Sequence, residues 1–180
     1  GACCLSVLTD VEYFRGSADY LRQVKNVVDL PILRKDFMLD PWQIYESRAM
    51  GADCVLLIVA CLDDEQLHTL FTLAKQLGMD VLIEVHDEEE MNRALQTDAK
   101  LIGVNNRNLK TFKTSLHTSK ILRNKVDGTR VIVSESGIHN SADILFLQQQ
   151  NIHTFLIGES LMRHSEPGQQ LVKLLSGEVQ

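Results

Sequence analysis

Short apolar runs rich in β-branched residues alternate along the chain with longer segments whose apolar positions recur at helical spacing. The runs fall at residues 3–8, 31–34, 54–59, 81–85, 101–104, 130–133 and 154–157. They are apolar on both faces, which suits parallel strands covered by helices. Helical segments are predicted over residues 17–28, 41–50, 63–77, 88–96, 115–124, 141–149 and 168–175. In the third of these, Leu67, Leu70, Phe71 and Ala74 stand at i, i+3, i+4 and i+7. Asp63 or Asp64 can cap its start, and Gly78 stops it. Asp40-Pro41 likewise sets a capping residue before a proline at the first helical position.

Neither a linker nor a low-complexity stretch interrupts the alternation, so one α/β domain is predicted over residues 1–180. The first strand-to-helix turn lacks G-x-G-x-x-G, which disfavours a dinucleotide-binding open sheet. A flavodoxin-like sheet has about five strands, too few for this pattern. The reading that fits is a TIM (β/α)8 barrel with about seven of its units present.

The last two runs both end in glycine, as Val131-Ile132-Val133-Ser134-Glu135-Ser136-Gly137 and Thr154-Phe155-Leu156-Ile157-Gly158-Glu159-Ser160. Glycine lets backbone N–H groups approach a ligand, and a helix N-terminus favours an anion. Two such turns on adjacent strands predict a phosphate cradle, a device found after the last strands of many barrels.

Composition narrows the partners. A formal net charge of -6 and the lack of a basic block argue against nucleic acid. No run approaches the ~18 apolar residues of a membrane span, and the apolar start reads as a strand, not a signal peptide. Cys3, Cys4, Cys54 and Cys61 lack C-x-x-C spacing and read as buried reduced thiols, which points to the cytosol. The histidines form no H-x-x-x-H pair, so no metal site is expected.

Active-site groups of a barrel stand at the C-terminal ends of its strands. Those positions hold Lys35, Glu84, Asn105 with Arg107, Glu135 with Ser136 and Gly137, and Gly158 with Glu159 and Ser160. The set suits acid–base chemistry on a phosphorylated small molecule. Each has a plainer reading. Lys35 could pair with Asp36 or a nearby glutamate, Asn105-Asn106-Arg107 could be a turn with a solvated arginine, and Glu135 could be a structural partner of Lys35. Glu84, next to an apolar strand, requires a partner. His86 reads as a surface or supporting position.

Taken together, these residues resemble the indole-3-glycerol-phosphate synthase family of tryptophan biosynthesis. The matching blocks, in family order, include Lys35-Asp36-Phe37, Glu84-Val85-His86, Asn105-Asn106-Arg107, Ser134-Glu135-Ser136-Gly137-Ile138 and Phe155-Leu156-Ile157-Gly158-Glu159-Ser160. The resemblance implies conversion of 1-(2-carboxyphenylamino)-1-deoxyribulose 5-phosphate to indole-3-glycerol phosphate, with loss of CO2 and water and no cofactor. It implies Lys35 as the general acid, made a better acid by neighbouring cations, and Glu84 in proton transfer during dehydration. Asn105 would hold substrate hydroxyls, Arg107 would order its loop, and Glu135 would organise the charged cluster. Ser136 would bind substrate oxygens. Gly137 and the Gly158-Glu159-Ser160 turn would bind phosphate, and Phe14, Phe37, Leu56, Leu109 and Ile138 would wall the anthranilate ring. Asn108 stands where the family often has aspartate.

The family also has an N-terminal helical extension and a first strand bearing a glutamate and a lysine. The first strand here matches the family's second, so the domain is expected to be N-terminally incomplete. Little activity alone, and association through unpaired edge strands, are expected of such a chain. The alternatives are a remnant that keeps anion binding, or another phosphate-binding barrel such as phosphoribosylanthranilate isomerase, with Cys3 or Cys4 in acid–base work.

Overall fold

Helix starts in this chain are set by short polar side chains that satisfy otherwise unpaired backbone N–H groups. In the computed structural model, which describes residues 1–177, Ser17 caps α1 (Ala18–Lys25) and Asp40 caps α2 (Pro41–Met50). Asp63 caps α3 (Asp64–Gln76), Asp87 caps α4 (Glu88–Ala94) and Asn140 caps α6 (Ser141–Gln148). Asp40 and Asp63 form reciprocal capping boxes with Gln43 and Gln66. The remaining helices are α5 (His117–Arg123), α7 (Glu159–Met162) and α8 (Pro167–Ser176). Two elements lie outside the hydrophobic pattern: the short α7, and a 3-10 turn over Val59–Cys61. The first helix ends at Lys25, short of the predicted 28, because Asn26 and Val27 close it with turn-like i→i−3 hydrogen bonds to Gln23 and Val24.

The strands are β1 (Leu5–Leu8), β2 (Ile32–Lys35), β3 (Cys54–Ile58), β4 (Asp80–Val85), β5 (Leu101–Asn105), β6 (Val131–Glu135) and β7 (Thr154–Leu156). They form one seven-stranded parallel sheet in the order β1-β2-β3-β4-β5-β6-β7. A doubly wound sheet reverses its strand order once, whereas a barrel adds each strand to the same side. The order here is that of a barrel wall. Among the described residues β1 and β7 are not paired with each other.

Alternation along each strand divides the core into two layers. One face of the sheet and the helices enclose the larger layer, which includes Ile32, Val55, Leu57, Ile83, Ile102 and Ile132. The opposite, inner face carries a smaller layer of Leu33, Cys54, Leu56, Ile58, Leu82 and Val133. On the outer face the buried Arg34 guanidinium pairs with Asp36 at 2.9 Å and Glu46 at 2.8 Å and donates to Thr9 Oγ1 and Ser47 Oγ. Asp36 is therefore committed to Arg34, which leaves Lys35 on the other face.

The cysteine expectation is corrected in part. All four thiols are free, but only Cys54 is buried, and burial pushes its pKa up to about 12. Cys3, Cys4 and Cys61 are exposed because they precede a strand or sit in the turn after one. No helix among the described residues is long and apolar enough to cross a membrane.

Candidate active site

Two residues beyond the inner apolar layer, the same strand faces become charged. Leu33 is followed by Lys35, Leu82 by Glu84, Leu101 by Gly103 and Asn105, and Val133 by Glu135. The period of two thus brings four polar side chains to one end of the sheet, above an apolar floor. Lys35 Nζ lies 3.2 Å from Glu84 Oε2 and 3.3 Å from Glu135 Oε2. Asn105 Nδ2 donates to Glu84 Oε1 at 3.0 Å. Side-chain exposure is 15% for Lys35, 4% for Glu84 and 2% for Glu135, so these charges interact with little screening by water.

Glycine 103 makes this packing feasible. A Cβ there would stand 2.1 Å from Glu135 Oε1, so only a residue without a side chain lets that carboxyl lie across β5. Glu135 Oε1 has no hydrogen-bond partner among the described residues. Burial and the charge of Glu84 raise the Glu135 pKa, against the pull of Lys35. Glu84 takes the opposite course: burial disfavours its charge, but His86, Lys35 and Asn105 outweigh burial and lower its pKa. Adjacent carboxyl groups whose environments push them apart can serve one as proton donor and one as acceptor.

Lys35 takes the glutamate partners that its plainer reading offered. Its neighbours in the cluster are carboxylates. Burial works against the ammonium, but Glu135 and Glu84 prevail and raise its pKa. Phe14 and Phe37 stack at 4.9 Å, Tyr13 meets Phe37 edge-on at 5.5 Å, and Lys35 Nζ stands 6.0 Å from the Phe14 ring centre. These rings give the cation an aromatic flank. Leu56 is fully buried in the inner layer and Ile138 packs into the outer one, while Leu109 is exposed in the loop after β5.

The turns after β6 and β7 lie beside this cluster. Ser136 and Gly137 are both left-handed, with φ of 63° and 78°. Gly137 fits that conformation without strain; Ser136 is held in it. Asn106, 2% exposed, fastens the turn: its Nδ2 donates to Ser134 Oγ at 2.9 Å, Glu135 O at 3.0 Å and Ser136 O at 3.1 Å. Ser160 Oγ donates to Ile138 O at 2.9 Å and ties the two turns together. No atom lies within 4 Å of a Cβ built at Gly158, so the space beside that turn is open. The Glu159 carboxylate points to Arg107, at 2.5 Å, and also pairs with Arg163; these partners lower its pKa. Arg107 thus links the β5 loop to the β7 turn.

Of the two positions the sequence allowed His86, surface or supporting, the structure has the supporting one. It lies two residues after Glu84 and is mostly buried against it. The spacing of Glu84 and His86 carried the signal, since alternate residues emerge on one face of a strand. Cys3 and Cys4 precede β1, whose last residue Leu8 is opposite Lys35, so they lie at the other end of the sheet.

Residues 1–174 match the family model described as indole-3-glycerol phosphate synthase. Over 97% of this chain the sequence is 53% identical to an indole-3-glycerol phosphate synthase of Delftia acidovorans and 54% identical to one of Polaromonas sp.. The chain spans 66% of the length of each of these relatives. Among solved structures, a 3-hexulose-6-phosphate synthase superposes with a TM-score of 0.77 at 15% identity, covering 97% of this chain and 87% of the other. A mandelate oxidase superposes with a TM-score of 0.77 at 14% identity, covering 97% and 62%. At such identities the structural likeness speaks for the fold alone.

Proposed function

We propose, from the premise that this chain belongs to the indole-3-glycerol phosphate synthase family, that its charged cluster performs the ring closure leading to indole-3-glycerol phosphate. The observation that carries the reading is Lys35 held between Glu84 and Glu135, beside the Phe14–Phe37 stack. The substrate would be 1-(2-carboxyphenylamino)-1-deoxyribulose 5-phosphate, its anthranilate ring against those rings. Its phosphate would take backbone N–H groups from the turns at Gly137 and at Gly158–Ser160, with Ser136 binding a substrate oxygen. In a four-residue helix such as α7 the dipole is small, so most of the phosphate binding falls to the individual N–H groups.

Ring closure joins the carboxylate-bearing ring carbon to the ketone carbon. The C=O electron pair moves to oxygen, and Lys35 donates the proton that turns the nascent alkoxide into a hydroxyl. A raised lysine pKa does not prevent this, because an alkoxide is far more basic than an amine. Loss of CO2 returns its bonding pair to the ring and restores aromaticity. In the dehydration the hydroxyl would take a proton from the protonated Glu135 and leave as water, while a proton is lost from the adjacent carbon to the ionised Glu84. Asn105 would hold substrate hydroxyls, Arg107 would order the β5 loop, and Glu135 would keep Lys35 placed while carrying little negative charge itself.

The test is formation of the indole product from that substrate, followed by its absorbance, with the 180-residue polypeptide and with Lys35→Met. Product from the first and not the second supports the reading. A second reading is anion binding without turnover; β1 and β7 are not paired with each other among the described residues. Protection by phosphate in a thermal shift assay, without product, would establish that reading instead.

A further inference from the structure

We infer that His86, braced by Glu90, is a positioning residue that fixes both the orientation and the charge of Glu84. This rests on the proposed role of Glu84 as proton acceptor. Glu84 and His86 flank the last residue of β4, so their side chains emerge on the same face. His86 Nε2 lies 3.3 Å from Glu84 Oε1, and His86 Nδ1 lies 3.0 Å from Glu90 Oε2. The same Glu90 oxygen accepts the His86 backbone N–H at 2.8 Å, which pins the residue at two points. Side-chain exposures of 11%, 4% and 16% for His86, Glu84 and Glu90 place the three largely out of water.

Both ring nitrogens face carboxylate oxygens, and only the imidazolium can donate at both. Burial opposes that charge, but Glu84 and Glu90 outweigh it and raise the His86 pKa to about 9. The other groups facing this pair are Lys35 from β2, Glu135 from β6, Asn105 from β5 and the Cys61 thiol, whose pKa burial, Glu84 and Glu90 raise. Lys35 is thus one of two cations on Glu84. If Lys35 turns to a substrate oxygen, Glu84 loses that partner at the moment it must stay ionised. His86 Nε2, out of line for a hydrogen bond and otherwise without a partner among the described residues, can then take up the load. A small rotation of the Glu84 carboxylate completes that bond.

The experiment is a carboxyl-carbon NMR titration of Glu84 in the unmodified chain, in His86→Gln and in Glu90→Gln, with Glu84→Gln to assign the signal. The expected result is a rise in the Glu84 midpoint of ~1 pH unit or more in His86→Gln and a smaller rise in Glu90→Gln. The imidazole should stay charged to about pH 9 in the unmodified chain and titrate lower in Glu90→Gln. An unchanged Glu84 midpoint in the folded variants overturns the inference. Should His86→Gln fail to fold by circular dichroism, Glu90→Gln decides it. In the product assay, His86→Gln should lower kcat ~10-fold or more and leave KM within about twofold. The acid limb of its kcat profile should move up towards the ordinary carboxyl value near ~4.3. A merely structural role would leave that limb in place. Failure of the unmodified chain to form product counts against the reaction; the titrations test His86 independently.

Discussion

The buried cluster at the ends of β2, β4 and β6 and the paired turns after β6 and β7 hold charge in different ways. In the cluster, Lys35, Glu84 and Glu135 are nearly out of water; Lys35 and Glu84 are each set by two or more partners and Glu135 by Lys35. At the turns, the ionised side chains are half-exposed: Arg107 and Glu159 are 34% and 49% accessible. Groups that move protons benefit from a dry, fixed environment, because charge interactions are strong there and pKa values separate. Phosphate needs only directed N–H groups, which a buried side chain such as Asn106 can organise from behind.

The sharpest break in the cluster is Lys35→Met. Turnover in the proposed reaction should fall by ~10²–10⁴ in the product assay. The two remaining carboxylates would then share a proton, and thermal melts should lose stability as pH rises. Second is Gly103→Ala, whose Cβ meets Glu135 Oε1 at 2.1 Å. It should cost ~1–3 kcal/mol in chemical denaturation and lower kcat. Adding Glu135→Ala should restore the stability but not the turnover, which separates crowding from chemistry.

On the turn side, Gly137→Ala must hold φ near 78°, at a cost of ~1–2 kcal/mol. It should raise KM, or the dissociation constant for inorganic phosphate, more than it changes kcat. Smallest is Arg107→Ala. An exposed ion pair is worth ~0–1 kcal/mol and is screened by salt, so its effect on melting should be slight and vanish at high ionic strength.

The pH dependence links the two regions to stability. His86 has a folded pKa raised to about 9, so its stabilisation is complete below its unfolded value of ~6.5 and lost as pH rises through about 9. Glu135, also raised, adds a cost that grows above the ordinary carboxyl range. Melting temperature should therefore decline on the alkaline side, and His86→Gln should flatten the part between ~6.5 and about 9.

Much of the architecture could be read from spacing and caps. The helix Pro41–Met50 occurs with its predicted bounds because Asp40, Pro41 and Gly51 mark both ends locally. Lys35, Glu84, Asn105 and Glu135 were recognisable as strand-end groups, and the structure gathers them within hydrogen-bonding reach. What escaped is non-local. Gly103 reads as an ordinary strand glycine until Glu135, on the next strand, lies over it. His86 reads as a surface or supporting position, and the structure places it in support, between Glu84 and Glu90. For Lys35 the sequence left Asp36 or a glutamate as partner, and strand alternation decided for the glutamates by sending Arg34 and its partner Asp36 to the other face.

The sequence by itself determined the alternation of strands and helices, the face on which each strand-end residue emerges, and the family. Those follow from periods of two and 3.6 and from local caps, which act within a few residues. Only the tertiary structure decided which carboxyl keeps its charge and which strand glycine lies beneath one. Those depend on distances of about 3 Å between residues far apart in the chain, where desolvation and neighbouring charge compete and the arrangement of neighbours decides the sign.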